Sequence, residues 1–124
     1  MRIASLVALA VLVTAQAPPP KAKPSFSINV RTAGDLAAAC TLKPANQRDV
    51  AILNFCNGFA QGVLQTNQQS DSPTKICFPT PPPKRSETMA EFSRWIVADI
   101  SRKTMLASTA FLQFMTGRFP CPKT

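Results

Sequence analysis

The sequence predicts a small all-α domain of four helices, with a short N-terminal extended segment, a long Pro-rich loop and two disulfides. Three observations carry that expectation. Apolar residues recur at helical spacing in successive stretches between residues 33 and 116. Segments rich in proline or in Ser, Thr and Asn separate those stretches. Four cysteines, Cys40, Cys56, Cys77 and Cys121, follow a leader of export type, and an even count in such a chain reads as a disulfide framework.

The leader comes first in chain order. Met1-Arg2 supplies a positive charge, Ile3 to Val13 is an apolar run interrupted only by Ser5, and Ala15-Gln16-Ala17 has the small-x-small spacing of a cleavage site. This order is that of a secretory signal peptide over residues 1–17, with a cut after Ala17 or Ala15. The run is about half the length that a bilayer-spanning helix needs, so no stable membrane anchor is expected after cleavage. Residues 18–25 (Pro-Pro-Pro-Lys-Ala-Lys-Pro-Ser) read as an extended leader, since proline lacks the N–H donor and resists helix. Residues 26–124 form the domain, large enough to bury one modest core.

Phe26, Ile28 and Val30 alternate with polar residues and predict a brief extended segment laid on that core. A short helix from Ala33 to about Cys40 follows, with Thr32 and Asp35 spaced as a capping box. Lys43-Pro44-Ala45 breaks the chain, and Asn46 can cap a long helix over residues 47 to about 68. Ile52, Cys56, Phe59 and Val63 make its stripe, widened by Leu53, Ala60 and Leu64, so this is expected to be the central helix. Gly58 and Gly62 lie four apart within it. Each costs about 1 kcal/mol of helix propensity, which predicts close approach of another helix or loop backbone at that face, or else a groove for a partner.

Residues 69–85 contain five prolines and predict an irregular loop pinned to the core by Ile76-Cys77-Phe78. Ser86 is expected to cap a third helix, whose stripe is Met89, Phe92, Ile96 and Ile100, bordered by Trp95. The fourth helix is expected from about Thr104 to Thr116, with Ala107, Phe111 and Phe114 in line and Gly117 as a left-handed C-terminal cap.

Four cysteines allow three pairings. Cys56 faces the core stripe and Cys77 lies in the apolar anchor after the same helix, which favours Cys56–Cys77 with Cys40–Cys121; Cys40–Cys56 with Cys77–Cys121 is the alternative. A zinc site is disfavoured, because the chain has no histidine and no Cys-x-x-Cys pair.

Composition excludes several function classes. The chain has 14 basic and 6 acidic residues, net +8, and the mature form without Arg2 carries +7. The basic residues are scattered and form no nucleic-acid-binding tail. Without histidine there is no Ser/His or Cys/His nucleophile, and no phosphate-binding glycine loop occurs. Glu87 and Glu91, four apart, read as a solvated charged face beside Arg85 and Arg94. The expectation is a binding protein with no enzymatic activity, no metal and no cofactor.

Four segments carry a family resemblance: Asp35-Leu36-Ala37-Ala38-Ala39-Cys40, Phe55-Cys56-Asn57-Gly58-Phe59-Ala60-Gln61-Gly62, Cys77-Phe78-Pro79 and Phe119-Pro120-Cys121. In this order they resemble the Rap/Tai family of type VI secretion immunity proteins, over roughly residues 33 to 121. The resemblance implies a periplasmic helical protein, often a homodimer, that binds a peptidoglycan amidase effector and blocks its active site. No inhibitory residue carries across by motif. By position, the 69–85 loop is the candidate contact surface, with Asp71, Lys75, Phe78, Lys84 and Arg85 as its candidate residues. The alternative function is a chaperone-like or structural envelope protein with no dedicated effector.

Overall fold

A computed structural model describes residues 28–123. The signal peptide, the Pro-rich leader and Phe26 lie outside the described residues. Four α-helices follow in order: α1 (Ala33–Cys40), α2 (Gln47–Gln69), α3 (Arg85–Val97) and α4 (Ala107–Arg118), with a 3-10 helix at Ile100–Thr104 between the last two. No strand occurs among the described residues, only isolated antiparallel bridges at Thr32–Leu106 and Ile76–Pro120.

The two N-terminal caps form as their residues dictate. Thr32 Oγ1 accepts from the Asp35 N–H at 3.2 Å, and Asp35 Oδ2 accepts from the Thr32 N–H at 2.9 Å, so two donors at the start of α1 are satisfied reciprocally. Asn46 Oδ1 accepts from the Asp49 N–H at 3.0 Å and starts α2. Helix α3 starts differently. Its cap is Lys84, with no side-chain hydrogen bond, and Ser86 already lies inside the helix. The run Pro81-Pro82-Pro83 holds the chain extended as far as Lys84, and the helix begins directly behind it.

Helix α1 is the central element, contacting α2, α3, α4 and the 3-10 helix. Its Ala33 and Leu36 are wholly buried, and its small side chains let these four neighbours close around it. The expectation that α2 would be central is corrected: only Cys56, Ala60 and Asn67 of its 23 residues are buried. Phe59, Val63 and Leu64 pack on the core from one side and remain half-exposed. Phe92, Phe111 and Phe114 fill the centre between α3 and α4, with Phe92 5.4 Å from Phe111 edge to face and 5.5 Å from Phe114. Trp95 closes this cluster 5.8 Å from Phe114, under the Arg102 guanidinium at 4.1 Å.

The third stripe stops at Ile96, and the fourth helix starts later than expected, at Ala107. The Ala33 N–H donates to Met105 O, and the Ala107 N–H donates to Arg31 O. Met105 and Leu106 are therefore held extended against the entry to α1, and α4 begins directly after them at Ala107. Ile100 falls in the 3-10 helix, 72% exposed, and not on the buried face of α3. Gly117 is also corrected. It lies within α4, no glycine described has a positive φ, and Phe119 provides the C-terminal cap.

The disulfides are Cys40–Cys56 and Cys77–Cys121, with Cα separations of 5.4 and 4.8 Å. The favoured pairing of Cys56 with Cys77 and Cys40 with Cys121 is thus overturned. Cys56 sits 13 residues before the end of α2, about 20 Å along the helix axis. The loop does not travel back that far, because its first residues are held at the helix end. The turn after Cys40 instead folds α2 back along α1 and brings Cys56 to it.

Candidate functional site

The Pro-rich loop is tied at three places. Asn67 Nδ2 donates to Thr74 O at 2.9 Å, and Gln68 Nε2 donates to Ile76 O at 2.8 Å. Lys75 Nζ reaches back over the end of α2, donating to Asn67 O at 2.8 Å, Gln68 O at 3.3 Å and Ser70 O. An ammonium at the carbonyl end of a helix satisfies free acceptors and opposes the negative dipole end. The third tie joins the loop to the C-terminus through the Cys77–Cys121 bond, the Ile76–Pro120 bridge and the Cys77 N–H donating to Phe119 O at 2.9 Å. Phe78 then stacks on Phe119 with ring centroids 5.0 Å apart.

Beyond this clamp the loop leaves a groove of about 580 Å³ between α2, Phe78 with Pro82-Pro83, and the start of α3. Its floor is apolar and buried: Ala60, Met89, Phe111 and Met115. Its lips are polar, with Asn57 and Gln61 of α2 facing Arg85 of α3. No acidic residue lines it. Lys84, next to the lip, lies 3.8 Å from Glu87, and both side chains are largely exposed.

The predicted loop residues therefore divide. Phe78 and Arg85 meet at the groove, and Lys84 adjoins it in the chain. Lys75 caps α2 and Asp71 lies exposed near that helix end. Sequence reading missed Asn57 and Gln61 as lip residues. Their spacing of four, beside Ala60 and Leu64, marks the edge of the apolar arc of α2.

Gly58 and Gly62 differ from the close-packing expectation. A Cβ at either position would meet no atom within 4 Å. Both line a second, shallower depression with Phe59, Val63 and Leu112. Among the described residues no helix or loop backbone packs against either glycine.

Charge elsewhere serves the scaffold. Arg118 Nε donates to Glu91 Oε2 at 2.8 Å, tying α4 to α3. That hydrogen bond lowers the Glu91 carboxyl below its ordinary pKa and raises Arg118. The Thr32 backbone and hydroxyl lower Asp35, and Ser101 lowers Asp99. Among the described residues no group of His, Cys, Asp and Glu could hold a metal ion, and no helix is long and apolar enough to cross a membrane.

Comparison with protein families matches residues 32–121 to the family described as Rap1a immunity proteins. Comparisons with curated proteins and with solved structures returned no match.

Proposed function

Since the chain belongs to the Rap1a immunity protein family, we propose that it acts in the periplasm and inhibits a peptidoglycan amidase effector of type VI secretion. The family match over residues 32–121 is the observation that carries this reading, and it implies a protein effector as partner. Two disulfides fit an oxidising compartment. The predicted signal peptide, residues 1–17, would deliver the chain there and be removed. Inhibition would proceed by occlusion: a rigid surface seated over the amidase active site excludes substrate without chemistry of its own.

The loop face suits that role. Phe78 is 40% exposed, yet the disulfide and Phe119 hold it in place, so little conformational freedom remains to be lost on binding. Self-association belongs to the same proposal. Val97 at the end of α3, Ile100 in the 3-10 helix and Leu106 at the start of α4 are all two-thirds exposed or more and support a second copy as a partner. Sedimentation of the mature chain measures this directly.

Co-expression with a periplasm-directed amidase from a neighbouring gene tests the main reading. Protection from lysis is expected. Unchanged lysis, or a pull-down returning many unfolded clients in place of one stoichiometric protein, favours the chaperone-like alternative.

A further inference from the structure

We propose that the groove between α2 and the start of α3 is an anchor pocket for an extended segment of a protein partner, taking one apolar side chain on its floor and an adjacent carboxylate at Arg85. The proposal rests on the immunity reading only in making the partner a protein.

The floor defines the first element of the ligand. Met89, Phe111 and Met115 are each buried at 3% exposure or less and lie under a cavity of about 580 Å³. Methionines give such a floor a deformable surface that fits leucine, methionine or phenylalanine without a fixed shape. Phe78, Pro82 and Pro83 wall the pocket with rigid apolar surface, since proline and a clamped ring lose little freedom on contact.

The lips define the second element. The guanidinium of Arg85 and the side-chain amides of Asn57 and Gln61 make no hydrogen bond or ion pair with another described residue. The nearest acid in sequence, Glu87, is placed against Lys84. With no carboxylate lining the pocket and a net charge of +8 on the chain, the fitting partner group is acidic. The two amides can take the donors and acceptors of an extended backbone running across α2. The recognised pattern is therefore an apolar residue beside Asp or Glu.

Blocked peptides test this without any assumption about an amidase. The disulfide-intact mature chain, 15N-labelled and with labelled methionine methyls, is titrated with acetyl-Gly-Asp-Leu-Gly-Ser-amide, and with versions carrying Lys for Asp or Ser for Leu. The first peptide is expected to bind with Kd on the order of 1 mM, a range reachable by short peptides. It should shift Asn57, Gln61 and the Met89 and Met115 methyls, and both altered peptides should bind about tenfold more weakly. Arg85→Glu should invert the charge preference, favouring the Lys peptide. An acid in the first turn suits the helix, so that variant folds. Gln61→Trp, at an exposed lip, should cover the floor and abolish all shifts.

Absence of shifts at the groove overturns the proposal, as does equal binding of the Asp and Lys peptides. Movement of the same resonances with protein concentration alone also overturns it, because a second copy would then fill the groove. Peptide binding together with failure to protect against an amidase would leave the pocket standing and remove the amidase reading. Protection without peptide binding would do the reverse.

Discussion

At Thr32 and Asp35 two side chains close a reciprocal cap, and a third donor, the Arg31 N–H, also reaches Asp35 Oδ2 at 3.2 Å. Thr32→Ala is expected to cost about 1 kcal/mol in urea unfolding, the usual loss for such a cap. Asp35, Glu91 and Asp99 are all lowered in the folded state by hydrogen bonds to their ionised forms. Their stabilisation is therefore fully present above the ordinary carboxylate range. It is lost as pH falls through that range to the depressed folded values, where the folded form must also take up the protons. Urea midpoints measured from neutral to acid pH should fall in that window, and less steeply in Glu91→Gln. The glycines give a prediction of opposite sign. Space is open at both, so Gly58→Ala and Gly62→Ala should each raise stability by up to about 1 kcal/mol, read as an upward shift in Tm.

Helix α2 shows how element-scale forces differ from residue-scale ones. Its apolar stripe and cap were legible, and its bounds follow the sequence closely at Gln47–Gln69. Its burial was not, because periodicity counts apolar positions on one helix and says nothing about which helix lies in the middle. The short, alanine-rich α1 takes that place. The end of α2 depends on Lys75 from the following loop. Lys75→Met should leave the last carbonyls of α2 without that donor and lower hydrogen-exchange protection around residues 66–70, at a global cost of about 1–2 kcal/mol. Similarly, Ser86 was a sensible cap by type, but the preceding prolines decided where α3 could begin.

For the whole molecule, the covalent ties and the aromatic centre carry the stability argument. Cys40–Cys56 spans 16 residues and Cys77–Cys121 spans 44. Chain entropy gives about 3 kcal/mol for the first and about 4 for the second, so Cys77→Ser/Cys121→Ser should destabilise more than Cys40→Ser/Cys56→Ser. The Cys77→Ser/Cys121→Ser variant should also release the Phe78 wall of the groove from the C-terminal segment. Non-reducing peptide mapping checks the pairing itself. Phe92 contacts both Phe111 and Phe114 and is wholly buried, so Phe92→Ala should cost about 3–5 kcal/mol in equilibrium unfolding, with a change in Trp95 fluorescence marking loss of the cluster.

The sequence by itself determined that this chain is helical and doubly bridged, where its first two helices begin, and which family its cysteine and glycine segments resemble. These are properties of local chemistry: caps act over three or four residues, helical stripes over one element, and motif spacing along one chain. The tertiary structure decided which cysteines meet, which helix is central, why α4 waits until Ala107, and that Asn57 and Gln61 face Arg85 across an apolar floor. Each of these is a contact between segments far apart in the chain. Where one backbone is already held elsewhere, as at residues 70–76 and 105–107, that commitment overrides the local preference and fixes the outcome.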